Sequence, residues 1–262
     1  MARPKTGEAL ASCLGILLIG CLIQAAGWLR GDRLVFPGTA DILRAVIRLL
    51  KRGDTYRKVW VTLRHLLKGL ALATAVGLPL GLIAGVSDFT RALLRPMMIA
   101  LRALPMIVMV VIIMVLTRYE RVPVIATALF LIPLISEAAC EGLRSIEPEL
   151  IDVYRLNSPF NLRVLLNVHL PLMAGYLKQA YVSAVGMGLK LVVSTEYLVQ
   201  TKNSLGKAVH SASYFNEYQD IYAYALIMIL LVLLVGEVPV IVSRWAGRVK
   251  RQQATGNRQQ SS

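Results

Sequence analysis

The sequence is poor in cysteine and histidine, and each shortage argues against a class of proteins. The three cysteines all lie inside apolar blocks or at the edge of one: Cys13, Cys21 and Cys140. A disulfide framework or a metal-ligand spacing is therefore not expected. The three histidines fall in separate segments, at His65, His169 and His210. They form no Ser/His/Asp or metal-like cluster, so we expect no catalytic residue, no metal site and no enzyme acting on lipid.

The sequence also lacks a nucleotide-binding loop. Such a loop has the pattern Gly-x-x-x-x-Gly-Lys-Ser/Thr, whose backbone N–H groups hold phosphates. The nearest match, Leu205-Gly206-Lys207, has no glycine at the required spacing upstream. We therefore expect that the chain does not hydrolyse ATP itself and carries no cofactor of its own.

Acidic residues are scarce as well. The sequence contains 15 Asp and Glu and 29 Lys and Arg, which gives a formal net charge of +14. In a soluble protein this excess would suggest nucleic-acid binding, but no basic face with aromatic residues accompanies it. The chain is 56% hydrophobic with a mean hydropathy of +0.60. Basic residues of a membrane protein anchor loops at lipid headgroups, and no nucleic-acid partner is expected.

The apolar residues are grouped in blocks long enough to cross the hydrocarbon core, which takes about 20 residues as a helix. Six such blocks predict six transmembrane helices: residues 9–29, 59–86, 96–116, 122–140, 171–199 and 221–242. The first follows Arg3 and Lys5 and contains Leu18-Ile19-Gly20-Cys21, as a cleaved lipoprotein signal would. Its apolar run continues to Trp28, however, which favours a span. The predicted fold class is an all-α membrane protein.

The remaining segments divide the chain around these helices. Residues 1–30 hold the first helix, residues 31–58 an amphipathic segment, residues 59–243 a core, and residues 244–262 a basic tail rich in Gln and Ser. In the amphipathic segment, apolar residues recur at helical spacing between cations, which predicts a helix lying along a membrane surface. Basic residues divide evenly between the two sides, so the positive-inside rule does not fix the orientation.

The connection between the fourth and fifth helices, residues 141–170, is longer than a simple loop. It predicts two short helices. Pro148 suits the first position of one of them, and Ser158 can cap a second that begins at Pro159 and ends at His169. Leu170-Pro171 then opens the fifth transmembrane helix.

This segment resembles the cytoplasmic loop of binding-protein-dependent ABC permeases. Their signature is Glu-Ala-Ala, three residues, Gly, nine residues, Ile, one residue and Leu-Pro. The spacing is intact here, with Asp152, Val153 and Tyr154 at the Glu-Ala-Ala positions, Ser158 at Gly, Val168 at Ile, and Leu170-Pro171. The residue types are degenerate, since Asp replaces Glu, Val-Tyr replaces Ala-Ala and Ser replaces Gly.

Further motifs resemble the nitrate/sulfonate/taurine branch of these permeases. They are Phe36-Pro37-Gly38, Gly77-Leu78-Pro79-Leu80-Gly81, Arg102-Ala103-Leu104-Pro105, Arg144-Ser145-Ile146-Glu147-Pro148 and Ser194-Thr195-Glu196. The resemblance implies a type I ABC importer permease fold in the inner membrane, with residues 31–58 in the periplasm and residues 141–170 and 244–262 in the cytoplasm.

The same resemblance implies several partners. A separate ATPase subunit dimer would bind ATP and Mg and dock on the loop residues Asp152, Val153, Tyr154, Arg155 and Ser158. A periplasmic or lipid-anchored substrate-binding protein would deliver a small solute. A second copy of the permease would complete a homodimer in the lipid bilayer.

Ionisable and hydroxyl residues inside the predicted spans are candidates for the translocation path, because burying charge in a bilayer is costly. They are Glu137, Lys190, Ser194 and Glu196. Lys190 is suited to attract an anionic solute or to pair with Glu137. The alternative is a structural role, as an ion pair, an interhelical hydrogen bond or a residue near the interface.

Two other transport functions remain open at this point. An autonomous secondary transporter or channel would predict inverted repeats or broken spans, and the two halves show no convincing repeat. A permease working in export would carry the same helices, and sequence physics alone does not fix the direction of transport.

Overall fold

The computed structural model describes residues 37–146 and 168–236, and all regular structure in these two ranges is helical. The helices are α1 (Thr39–Lys51), α2 (Gly53–Val86), α3 (Asp88–Ala103), α4 (Met106–Leu116), α5 (Val122–Arg144), α6 (Ala174–Val199), α7 (Leu205–Tyr214) and α8 (Tyr218–Gly236). A 3₁₀ turn, Tyr119–Arg121, precedes α5, and a single helical turn, Leu170–Leu172, precedes α6.

Four of these helical stretches are long and apolar enough to cross a membrane: α2, the 3₁₀ turn with α5, α6 and α8. The bent pair α3–α4 makes a fifth if it counts as one span. These stretches confirm the all-helical membrane fold predicted from the apolar blocks. The first predicted span, residues 9–29, and residues 237–242 of the sixth lie outside the described residues.

The third predicted span, residues 96–116, is not one straight helix. Helices α3 and α4 meet at an angle of 100° across Leu104 and Pro105. Leu104 has extended backbone (φ −65°, ψ 125°), because a residue before proline is pushed out of the helical region. Pro105 also has no N–H to continue the helical hydrogen bonds. The sequence contains both residues, but the largely apolar run around them concealed the bend.

Helix α2 begins at Gly53, six residues before the predicted start of the second span. Its first turns are polar, and the Lys58 ammonium lies 2.8 Å from the Asp54 carboxylate. With 34 residues, α2 is about 51 Å long at 1.5 Å per residue. A hydrocarbon core is only about 30 Å thick, so the polar beginning of α2 extends beyond it.

Helices α2 and α5 run parallel and in close contact, because small residues of α2 face α5. At Gly81, an added Cβ would lie 2.2 Å from the Ser136 carbonyl oxygen and 2.7 Å from Cβ of Ala139. Only glycine allows the two backbones to approach this closely, as is common between membrane helices. The pair defines two ends of the molecule, which we call the loop end (Val86 and Arg144) and the far end (Gly53 and Val122).

Helix α1, which the amphipathic pattern predicted to lie along a membrane surface, packs one of its faces against other helices. Three residues of one apolar face, Ala45, Val46 and Leu49, are buried in a cluster with residues of α8 and α6, and Ile42 is buried as well. The Arg48 guanidinium adds an ion pair to Asp220 of α8 at 2.6 Å. Other apolar residues of α1, Leu43 and Ile47, are exposed. The helix is therefore a packed part of the far end.

Candidate functional site

The predicted coupling residues fall into two groups. Asp152, Val153, Tyr154, Arg155 and Ser158 lie outside the described residues, whereas Val168, Leu170 and Pro171 are described. The described residues on either side of the gap come together at the loop end. Ile146 and Leu143 belong to one apolar cluster with Met173 and Leu177, and Leu170 packs against it. Residues 147–167 are therefore connected at both ends to the same small area of the molecule.

Glu137 contributes to a cleft of about 640 Å³ between α3 and α5 at the loop end. Its carboxylate pairs with the Arg102 guanidinium and not with Lys190, the partner considered from the sequence. Arg102 also donates a hydrogen bond to the Pro133 carbonyl oxygen at 3.2 Å.

A second ion pair closes the rim of this cleft. The Arg144 guanidinium at the end of α5 lies 2.7 Å from the Asp88 carboxylate at the start of α3. Both charges also suit their helix termini, where a cation is favoured at the C-terminus and an acid at the N-terminus. Charged pairs thus connect α3 to α5 at both ends of the cleft.

Lys190 and Ser194 occupy one exposed stripe of α6. Both side chains are exposed, as is Met187, which lies on the same helical face. Lys190 forms no ion pair with any other described residue. A lone cation on the outer surface of a membrane helix is costly in lipid, so this stripe is unsuited to face hydrocarbon.

Glu196 is fully buried and lies at the centre of a hydrogen-bonded network at the far end. Thr62 Oγ1 donates to its Oε2 at 2.8 Å, and His65 Nδ1 lies 2.7 Å from its Oε1. The backbone N–H of Gly206 donates to Oε2 at 3.2 Å, and that of Leu205 donates to Thr62 Oγ1 at 3.0 Å. The network therefore connects α2, α6 and α7 through one carboxyl group.

Gly206 allows this network to form. A Cβ at this position would lie 2.4 Å from Cβ of Glu196 and 2.5 Å from the Val193 carbonyl oxygen. The start of α7 can thus sit directly on α6, and Ser204 caps α7 by accepting a hydrogen bond from the Lys207 N–H at 3.1 Å.

Thr62 and His65 were not among the residues singled out from the sequence. The available signal was their spacing of three residues on one helix face, which puts both side chains on the same side of α2. Nothing in the local sequence connected them with Glu196, which is 131 residues after His65. The pairing of Arg102 with Glu137 was hidden in the same way, across 35 residues.

Comparison with known proteins assigns this helical arrangement to a family. Residues 77–251 match the family described as "Binding-protein-dependent transport system inner membrane component". The chain belongs to this family. The matched residues begin within α2 and include the predicted coupling segment, residues 141–170, and the helices that follow it. The chain is thus a membrane transport subunit, not an enzyme, and the ABC importer permease predicted from the sequence is confirmed at the level of the family.

Curated relatives agree with this family of permeases. A probable ABC transporter permease protein of Brucella melitensis biotype 1 is 24% identical over 215 residues, covering 80% of this chain and 86% of the relative. A probable ABC transporter permease protein of Brucella abortus is 24% identical over the same length, covering 80% of this chain and 85% of that protein.

Solved structures share the fold. The structures titled "Inward facing conformations of the MetNI methionine ABC transporter" include a native form with a TM-score of 0.62 and 18% identity, covering 72% of this chain and 94% of that one. A selenomethionine-soaked form gives a TM-score of 0.64 and 18% identity, covering 73% and 95%. The permease therefore has the type I ABC importer fold and is a multi-pass membrane protein.

Proposed function

We propose that this permease is the membrane-spanning subunit of an ATP-driven importer of the nitrate/sulfonate/taurine branch, which takes up a small solute delivered by a binding protein. The observation that carries the proposal is the family match over residues 77–251, which includes a segment with the spacing of the ATPase-docking loop. Five further motifs, distributed from Phe36 to Glu196, support the branch.

Coupling to ATP would act through residues 147–167. A helix around Asp152 to Ser158 would dock in a groove of a separate ATPase subunit, which binds ATP and Mg. Because both ends of the segment join the cluster of Leu143, Ile146 and Met173, a push on the docked helix is transmitted directly to α5 and α6. Two such loops, one from each permease copy, would move together as the ATPase pair closes, and the spans would rock between two states.

Orientation follows from the same proposal. The loop end faces the cytoplasm, where the ATPase is found, and the membrane is the cytoplasmic (inner) membrane. The far end, with α1, α7 and the polar beginning of α2, then faces the periplasm. That end receives a periplasmic or lipid-anchored binding protein.

The translocation path would run between two copies of the permease. Lys190 and Ser194 lie exposed on α6, and a second copy would remove Lys190 from lipid. Glu137 would line the same route near the loop end, beside Arg102. Glu196, which has no exposed surface, would not line the path itself. It would hold α6 in place against α2 and α7 through its hydrogen bonds.

Two loop variants test the coupling proposal. Asp152→Lys and Ser158→Trp should lose the co-purifying ATPase and abolish ATP-dependent uptake in proteoliposomes, while the permease still elutes as a folded membrane protein. Asp41→Lys is the matched control, because it makes the same charge change on an exposed part of α1 at the far end. Unchanged uptake in both loop variants, or uptake without any ATPase, would contradict the proposal, and the latter would favour a secondary transporter.

A further inference from the structure

A second cleft opens at the far end, on the side of the molecule away from the coupling segment. Its volume is about 880 Å³, and it lies between the polar beginning of α2, the 3₁₀ turn before α5 and the turn after α6. Its charged lining residues are five cations and one carboxylate: Arg57, Arg64, Lys68, Arg121, Lys202 and Glu120. We call this feature the basic cleft.

The cations of the basic cleft are not neutralised by the protein. All five are exposed, and none forms an ion pair with another described residue. The cleft between α3 and α5 at the loop end differs, because Arg102 pairs there with Glu137 and Arg144 with Asp88. A concave surface whose charges are mainly of one sign and unpaired concentrates counter-ions. The basic cleft therefore has the electrostatics of an anion site.

The positions of these cations suit a ligand from the aqueous phase. Arg57, Arg64 and Lys68 are spaced by seven and four residues, so they lie along one face of α2. The apolar part of α2 begins after Lys68, which means that Arg57 and Arg64 lie beyond the hydrocarbon core. The volume of the cleft is in the range of small-ligand sites, about 300–1,000 Å³.

The chemistry of the lining selects among anions. Guanidinium groups bind oxyanions through two parallel hydrogen bonds, which a halide cannot accept. Trp60 supplies an apolar wall, since it lines the same cleft and is 61% exposed. Thr201, also in the lining, has a buried hydroxyl without a hydrogen-bond partner among the described residues.

We propose that the basic cleft binds a small solute carrying an oxyanion group, of the sulfate, sulfonate, phosphate or carboxylate type. The use of the site, to collect solute at the periplasmic end, rests on the proposed function. Binding of the oxyanion can be measured without transport. Lys190, exposed on α6, would be a later cation on the same route. The headgroup of an anionic lipid offers the same chemistry, and the experiment must separate the two sources.

Trp60 serves as the reporter of binding. In a full-length permease with Trp28→Phe and Trp245→Phe, Trp60 is the only tryptophan. The protein is placed in nanodiscs of phosphatidylcholine and titrated with sodium sulfate, with sodium chloride at equal ionic strength as the reference. We expect a saturable change in Trp60 fluorescence with sulfate alone. The double variant Arg64→Gln/Lys202→Gln should raise the apparent dissociation constant at least tenfold.

The matched control is Arg44→Gln/Lys51→Gln, which removes the same two charges from exposed positions of α1 outside the cleft. It should bind sulfate as the parent does. Equal affinity in the cleft variant and the control, or a response to chloride equal to that to sulfate, would overturn the proposal. A response that appears only when phosphatidylglycerol is added to the nanodiscs would assign the cleft to a lipid headgroup and overturn the proposal that it binds a solute. Normal ATPase docking with no sulfate binding contradicts this inference alone, whereas sulfate binding without ATPase docking contradicts only the proposed function.

Discussion

At the residue scale, Glu196 shows how one side chain acquires its role from distant parts of the chain. Its carboxyl group is inaccessible to solvent and contacts hydrogen-bonding groups from α2 and α7. A buried polar group without partners costs about 1–3 kcal/mol, so removing the carboxyl leaves Thr62, His65 and the Gly206 N–H each short of a partner. The residue that sequence analysis considered for the path is thus integrated in the packing of three helices.

The first prediction follows directly. Glu196→Ala should lower the free energy of unfolding by about 3 kcal/mol, because it leaves three buried hydrogen-bonding groups short of a partner. Glu196→Gln should lower it less, since the amide oxygen still accepts hydrogen bonds. Denaturant unfolding in detergent, followed by circular dichroism, measures both variants. Ser194→Ala, an exposed change two residues earlier on α6, should unfold like the parent; an equal loss in this control would contradict the assignment.

At the element scale, the sequence predicted the spans well where apolar runs coincide with helices, as in α5 and α6. It failed at two places for physical reasons. The polar beginning of α2 looked like a loop, because a helix that leaves the membrane loses the apolar signal while keeping its hydrogen bonds. The bend at Leu104 and Pro105 lay within a largely apolar run, and hydropathy does not show where a helix changes direction.

The contact between α2 and α5 gives the second prediction, which belongs to this scale. Gly81→Ala would put a methyl group 2.2 Å from the Ser136 carbonyl oxygen, so the helices must separate. We expect a loss of about 1–3 kcal/mol in the free energy of unfolding, as for an overpacked core. Gly53→Ala, in the same helix but with open space around its Cβ, is the control and should not destabilise. A neutral Gly81→Ala variant would show that the contact is looser than described.

At the scale of the whole molecule, the sequence identified the transport class but not the charge distribution. Asp152 to Ser158 were assigned to the coupling loop by spacing alone; they lie outside the described residues, so their role stays a prediction. The basic cleft could not be predicted, because Arg57, Arg121 and Lys202 belong to three separate segments that only the packed helices bring together. The ion pairs of the loop end required the same three-dimensional information, so the contrast between the two ends emerges only from the fold.

The proposed orientation, with the far end in the periplasm and the loop end in the cytoplasm, gives the third prediction. In a variant whose three cysteines are replaced by serine, Glu120→Cys at the far end should react with an impermeant maleimide added to the periplasmic side of spheroplasts. Ser145→Cys at the loop end should react only after the membrane is opened. Both positions are exposed in the structure, so access to the reagent decides the result. The reverse pattern of labelling would overturn the proposed orientation.

Helix α2 is continuous over 34 residues, with Gly85 packed beside Leu143 near the predicted coupling segment and Arg57 at the basic cleft. These two positions are about 42 Å apart along the axis, at 1.5 Å per residue. If α2 tilts as one unit by about 10° about its loop end, a point about 42 Å away at its far end moves by about 7 Å. If the proposed orientation and the proposed solute site are right, a small displacement at the loop end would therefore change the width of the basic cleft, with no relay of side chains between them.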